Sequence, residues 1–298
     1  MSNTKTTGGK VFDIINVFIL ALLVVATVYP VLYVLFASMS DPVKLYAGSR
    51  LVLFPRGFSL APYRIVITNQ MIWVSYRNSI IYTLTGTTLS LFITTMAGYV
   101  LSRQYLPGRG MIMVIITFTM FFTGGMIPLY LLVRSLKLLD TMWSLVFTGA
   151  VSTYNLILMK TYFLSIPFEM EESARIDGAN DWVILWRVMA PLAMPVIAVI
   201  TLYLIVANWN SYIPPSIYIR KRTLFPLQVI LREILLSGSN ETSLNVNSSD
   251  SGGLGDFQAY SESVKYSTIV VSILPIMCIY PALQKYFVKG VMLGAVKG

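Results

Sequence analysis

An all-α bundle of membrane-spanning helices is the fold class that this sequence predicts, and three observations carry the prediction. The 298 residues are 56% hydrophobic and only 12% charged, with a mean hydropathy of +0.70; soluble domains carry about a quarter charged residues. Charge-free windows of span length recur along the chain. A bilayer core about 30 Å thick needs roughly 20 apolar residues at about 1.5 Å of helical rise each. The windows are continuously apolar rather than alternating over segments of about 10 residues, which sets aside a closed β-barrel, the other way to satisfy a backbone in lipid.

Taken in order, the windows predict six spans forming one transmembrane domain over residues 1–298. The polar start MSNTKTTGGK leads into the first, residues 14–40. That run is too long for a signal-peptide core and lacks a clear small-residue cleavage site, so no cleavable signal is expected. The second span, 78–102, lies between Arg77 and Arg103; the third, 111–133, follows RQYLPGRG; the fourth, 141–162, follows Asp140. A loop at 167–190 precedes the fifth span, 191–213, and an outer segment, 214–264, leads to the sixth, 266–286. Within it Ser237–Glu262, rich in Ser, Gly, Asn and Asp, reads as a flexible aqueous loop. Asn240 and Asn247 there begin N-x-S/T sequons, a weak motif by itself. Pro30, Pro128, Pro275, Pro281 and the Gly124–Gly125 pair are candidate kinks within spans. An even count puts both termini on one side. Lys and Arg are as frequent in one set of loops as in the other, so the positive-inside rule does not choose that side.

Composition also limits chemistry. A net charge of +9 fits anionic lipid headgroups better than nucleic acid. With no histidine and the single Cys278, the usual transition-metal ligands and any intrachain disulfide framework are missing. No G-x-x-x-x-G-K-[ST] motif occurs, so no nucleotide site and no enzymatic activity are expected on this chain. Asn208, Trp209, Asn210 and Tyr212 near one end of the fifth span, and Tyr154 with Asn155 in the fourth, are costly in lipid and point to a cavity or to interhelical hydrogen bonds. Such groups also suit a sugar, through aromatic faces and amides that both donate and accept.

The loop EESARIDGANDWVILWRVMAP, Glu171–Pro191, differs from the greasy segments on either side. Glu171 and Arg175 stand four apart, acidic first, and Met170, Ala174 and Gly178 share a stripe of the predicted helix that follows Pro167. After a bend at Gly178, Trp182, Leu185, Trp186 and Met189 follow the i, i+3, i+4, i+7 spacing of a second amphipathic helix. By itself this pattern fits an interfacial turn between two spans. It also resembles the cytoplasmic loop of permease subunits of ABC importers, E-A-A, three residues, G, nine residues, I-x-L-P. Glu172, Ser173, Ala174, Gly178, Val188, Ala190 and Pro191 stand at those positions, with Ser173, Val188 and Ala190 replacing Ala, Ile and Leu. ARIDGA is typical of the sugar-importing branch, and the ending YPALQKYFVKGVMLGAVKG, Tyr280–Gly298, is similar to the tail of maltose-type subunits. ASMSDP and WVSYRNSIIYT look like the branch that imports oligosaccharides released from complex polysaccharides.

The resemblance implies a loop, and both termini, on the cytoplasmic side of the cell membrane. It implies that Glu171, Glu172, Ser173, Ala174, Asp177, Gly178, Ala179 and Pro191 couple to an ATPase, with Trp182 and Trp186 buttressing the docked helix. The implied partners are a second homologous permease subunit, an ATPase dimer that holds ATP and Mg, and an external sugar-binding protein. The basic cluster Arg220–Arg222 near the expected outer mouth would attract an acidic oligosaccharide such as a pectin or alginate fragment. The alternative is a secondary transporter driven by an ion gradient, which would want ionisable relays inside the spans.

Overall fold

The structure, a computed structural model, describes residues 7–49, 51–236 and 254–295. Among the described residues the regular elements are all helices, and one isolated bridge joins Ser40 and Phe58. The helices are α1 Thr7–Ser38, α2 Pro42–Ala47, α3 Ala61–Thr68, α4 Gln70–Ser102, α5 Arg109–Phe121, α6 Met126–Ser135, α7 Trp143–Thr148 and α8 Thr153–Ser165. They continue with α9 Glu169–Ile176, α10 Asp181–Val183, a π-helical turn Ile184–Met189, α11 Ala190–Leu192, α12 Met194–Trp209 and α13 Ile213–Tyr218. The chain closes with α14 Leu227–Leu236 and α15 Leu254–Ala295. Against the expected flexible loop at Ser237–Glu262, helix α15 already begins at Leu254, and the remainder of that stretch, with both sequons, lies outside the described residues.

Among the described residues, three helices are individually long and apolar enough to cross a membrane: Val11–Ser38, Gln70–Ser102 and Gln258–Pro281. Two more spans qualify only as bent pairs, Arg109–Phe121 with Met126–Ser135 at 112° and Asp181–Leu192 with Met194–Trp209 at 83°. The first of these bends falls at the Gly124–Gly125 pair. The expected fourth span is divided between α7 and α8, each short of a membrane crossing. The six windows therefore appear as three long helices, two bent pairs and one divided segment.

The chain divides into two compact units. One holds the described residues up to Gln70 together with Leu231–Ile273. Here Asp41 caps α2, accepting from the backbone N–H groups of Val43 at 3.1 Å and Lys44 at 3.2 Å, with Pro42 at the first helical position. The Ser38 and Tyr63 hydroxyls lie 2.7 Å apart, and Tyr33 meets Tyr266 edge-on at 5.8 Å. Phe12, Phe18, Leu22 and Val25 on α1 are exposed, an all-round apolar surface suited to lipid rather than water.

The other unit, Met71–Ile230 with Leu274 onward, contains a core of Tyr99, Met159, Phe163, Ile184, Leu185, Met189, Val196 and Ile200. Its axis is α4, which carries a buried stripe of small polar residues: Ser75, Ser79, Thr83, Thr87, Ser90 and Thr94. Small side chains at this spacing let neighbouring backbones approach closely. They also supply hydrogen bonds where the fold is not helical. Ser90 donates to the carbonyls of Gly149 at 3.2 Å and Ala150 at 2.6 Å, in the break between α7 and α8. Asn78 donates to Thr223 and Phe225, Tyr82 to Leu224, and Ser79 accepts from the Leu227 N–H at 2.7 Å. Backbone freed from a helix at membrane depth needs such partners.

Farther along α4, Gly98 lies against α8: a Cβ there would fall 2.6 Å from Met159 Cγ and 3.0 Å from its Cβ. Met159 is fully buried and has nowhere to retreat. Gly98→Val is expected to lower the stability of the detergent-solubilised protein by about 1–3 kcal/mol through overpacking. Gly110→Ala, at a position open to space, should leave the unfolding midpoint nearly unchanged, and thermal scans of the two variants side by side check the pair.

Candidate functional site

The loop between the fourth and fifth windows is built from its caps. Glu169, Glu171 and Glu172 occupy the first turn of α9 and Arg175 its last, complementing the helix dipole at both ends. The helix stops at Gly178, whose φ of +81° is cheap only for glycine. The Gly178 N–H donates to Arg175 O and the Ala179 N–H to Ala174 O, both at 3.0 Å, a Schellman closure. Asn180 then caps the next turn, accepting from the Val183 N–H at 2.9 Å.

Beyond it the structure corrects the expected stripe. The buried residues are Ile184, Leu185 and Met189, whereas Trp182 is 56% and Trp186 39% exposed. A π-helical turn closes i to i+5, so Ile184 and Met189 fall on one line and the tryptophans rotate off the core face. Trp186 stacks on Phe92 of α4 at 5.7 Å, while Trp182 stays largely exposed.

An ion network anchors the loop helix from behind. Glu171 has no exposed surface and Arg103, the first residue after α4, is 7% exposed. Arg103 Nη1 pairs with Glu171 Oε2. Arg175 Nη2 donates to Glu171 Oε1 at 2.9 Å, to Asp181 Oδ1 at 2.5 Å and to the Tyr105 hydroxyl at 3.1 Å. The Arg103 guanidinium lies 4.4 Å from the centroid of the Tyr99 ring. Burial lowers its pKa from the ordinary arginine value, yet guanidinium retains its proton in proteins. Two cations and two anions thus close on one another at the end of α4.

Of the loop residues singled out from sequence, Glu172, Ser173, Asp177, Gly178 and Pro191 are exposed, while Ala174 and Ala179 pack against the core. Ile176, which sequence reasoning passed over, is 82% exposed beside them. The loop helix therefore presents a free face of Glu172, Ser173, Ile176 and Asp177, with Glu171 turned inward.

A second feature is a cavity of about 450 Å³ between α4, α7, α8 and α12. Tyr82 and Gly86 line it from α4, Tyr154 and Asn155 from α8, Tyr203 and Asn208 from α12. Asn208 donates to Thr87 Oγ1 at 3.3 Å, which fixes its amide against α4. The other sequence candidates are elsewhere: Trp209 is buried edge-on against Tyr76 at 5.7 Å, and neither Asn210 nor Tyr212 lines the cavity.

Beside this cavity a loop carries Arg220, Lys221 and Arg222. Asp140, itself at φ +57°, accepts from the backbone N–H of Arg220 at 2.5 Å and of Lys221 at 3.2 Å. Its own N–H donates to Tyr218 O at 3.0 Å. Arg220 Nη2 reaches the Tyr130 hydroxyl at 3.2 Å, and Tyr130 stacks on Tyr218, which lines the cavity. Those backbone donors, with Arg220 first, hold the Asp140 carboxyl below its ordinary pKa. A depressed carboxyl pKa adds order above the ordinary value near pH 4 and loses it as pH falls through the depressed one. The side chains of Arg220–Arg222 are exposed throughout, so what Asp140 governs is how firmly their backbone is held. Wild-type protein is expected to be cut there faster in acid than at neutral pH, and Asp140→Asn to be cut faster at neutral pH as well, which timed cleavage with an acid-tolerant and a neutral arginine-directed protease reads.

A family profile for the binding-protein-dependent transport system inner membrane component matches residues 86–293. The chain is 37% identical over its full length to Protein LplC of Bacillus subtilis (strain 168), spanning 98% of that protein. It is 36% identical to the polygalacturonan/rhamnogalacturonan transport system permease protein YtcP of the same organism, over 97% of this chain and 99% of the other. Among solved structures, it matches a chain from a bacterial ABC transporter involved in the import of the acidic polysaccharide alginate. That match has a TM-score of 0.87 and 36% identity, over 96% of this chain and all of the other.

Proposed function

The chain belongs to the binding-protein-dependent transport system inner membrane component family, and on that premise we propose how its parts divide the work. It is a permease subunit of an ATP-driven oligosaccharide importer, and the hydrolysis of ATP falls to a separate subunit. ATP and Mg are held by an ATPase dimer on the cytoplasmic side, where both termini and the loop of α9 also lie. Six crossings, counting the bent and divided segments, form half of a translocation path completed by a second, homologous permease. An external sugar-binding protein delivers the oligosaccharide.

The observation that carries this reading is the posture of α9. Its Glu171 side is locked inward by two arginines, while Glu172, Ser173, Ile176 and Asp177 face outward. A charged helix with an exposed isoleucine, held rigidly at the membrane edge, suits docking into a groove of the ATPase. The cavity supplies the other half. Tyr82, Tyr154 and Tyr203 offer ring faces, Asn155 and Asn208 offer amides, and among the described residues its lining contains no carboxylate of the kind an ion-driven relay would need.

The substrate class we assign is an acidic oligosaccharide. Arg220, Lys221 and Arg222 stand beside the cavity, and two relatives carry the names of acidic polysaccharides. The test is uptake into proteoliposomes holding the full set of partners. ATP-dependent uptake of uronic-acid oligomers is expected, and replacing Arg220–Arg222 with serine should reduce it about tenfold at low salt and much less at high salt. Equal uptake of neutral and acidic oligomers at low salt would remove the acidic assignment and leave the importer standing.

A further inference from the structure

The buried charge pair has a second use, which rests on the importer reading above. Helix α4 lends Ser79, Tyr82 and Gly86 to the cavity from its first half and is followed at its C-terminal end by Arg103. Those sites are roughly 26–36 Å apart along the helix at about 1.5 Å per residue. At the far end Arg103 is gripped twice, by the face of Tyr99 within α4 and by the carboxylate of Glu171 in α9. Against the apolar core, α9 and the turn after it offer Ala174 and Ala179, two methyl groups, and Arg175 adds a partly exposed bond to the Tyr105 hydroxyl. Apolar contacts are non-directional and resist sliding weakly. A buried charge pair is directional, and breaking it strands a charge away from water.

We propose that Arg103 and Glu171 are positioning residues, forming the tie through which movement of the loop helix is delivered to α4 and so to the cavity wall. Arg175, shared between Glu171, Asp181 and the Tyr105 hydroxyl, braces the carboxylate from the exposed side, and Arg103 supplies the buried link. Removing the tie leaves the docking face of α9 and the cavity lining intact, because none of their residues is altered. What it loses is the conversion of ATPase closure into opening of the path.

The experiment reads oligosaccharide taken up per ATP hydrolysed, normalised to assembled importer in proteoliposomes. The variants are Arg103→Met, Glu171→Gln, Arg103→Lys and the pair Arg103→Met with Glu171→Leu. The ratio is expected to fall about tenfold in the first two and to recover in large part with lysine, while ATPase activity per complex changes less than twofold in the two Arg103 single variants. If either single variant assembles poorly, the double variant decides, since no unpaired charge is left buried; it should assemble well and still show the low ratio. A double variant with the wild-type ratio overturns the tie. So does a parallel fall of uptake and hydrolysis that merely tracks the amount of assembled complex. A wild-type complex that hydrolyses ATP yet imports no oligosaccharide fails differently, for it removes the importer reading itself.

Discussion

Burying a carboxylate at the edge of a membrane is the constraint around which the functional end of this protein is organised. Glu171 is fully enclosed, and moving an ion of that kind out of water costs several kcal/mol even after the surroundings relax. The cost is offset only because two guanidinium groups reach it from different directions, Arg103 from the end of α4 and Arg175 from its own helix. Asp181 balances the second arginine, and Tyr99 and Tyr105 contribute a ring face and a hydroxyl. Any arrangement that let α9 drift from α4 would strand a charge. The loop is thus a helix held in a single register, not a flexible connection.

The bilayer imposes the second constraint. Several segments of this chain stop being helical within membrane-length windows, at Gly124–Gly125, at Gly149–Ser152 and after Trp209. Water is not available there to pair the freed carbonyls. Part of the answer is α4, whose Ser90 bonds to the carbonyls of Gly149 and Ala150, while its Asn78, Ser79 and Tyr82 bond to backbone between Thr223 and Leu227. The same helix therefore lines the cavity, repairs one of these breaks and ends at the charge network. Function at two distant places converges on one element for reasons of backbone accounting.

Much of this was legible in the sequence, and the failures have identifiable causes. Composition and charge-free windows located the apolar segments because lipid imposes their length. The loop helix, its end at Gly178 and the Glu171–Arg175 pair follow from local spacing, which the structure keeps. The tryptophan stripe did not survive, since a periodicity argument assumes 3.6 residues per turn and Ile184–Met189 forms a wider one. Arg103 was read only as the charge bounding a window; its partner is remote in sequence, and no pattern in a single chain joins them. The cavity was half legible. Asn155, Tyr154 and Asn208 do meet there, but Trp209 is the next residue on the same helix and so points about 100° away from Asn208.

One close approach constrains how such a cavity changes shape. Gly98 brings α4 so near to α8 that no side chain fits between them, and Ser90 fastens α4 to the turn that precedes α8. Two walls of the cavity, the Tyr82–Gly86 side and the Tyr154–Asn155 side, are therefore parts of one plank. Such a plank tilts but does not split. Against α12 the cavity end is tied by the Asn208–Thr87 hydrogen bond at 3.3 Å and by Tyr76 against Trp209, while lower down Val196 and Ile200 pack on Met159 and Phe163. Any widening on that side has to begin at Asn208, where the contact is a single polar bond and not a packed core.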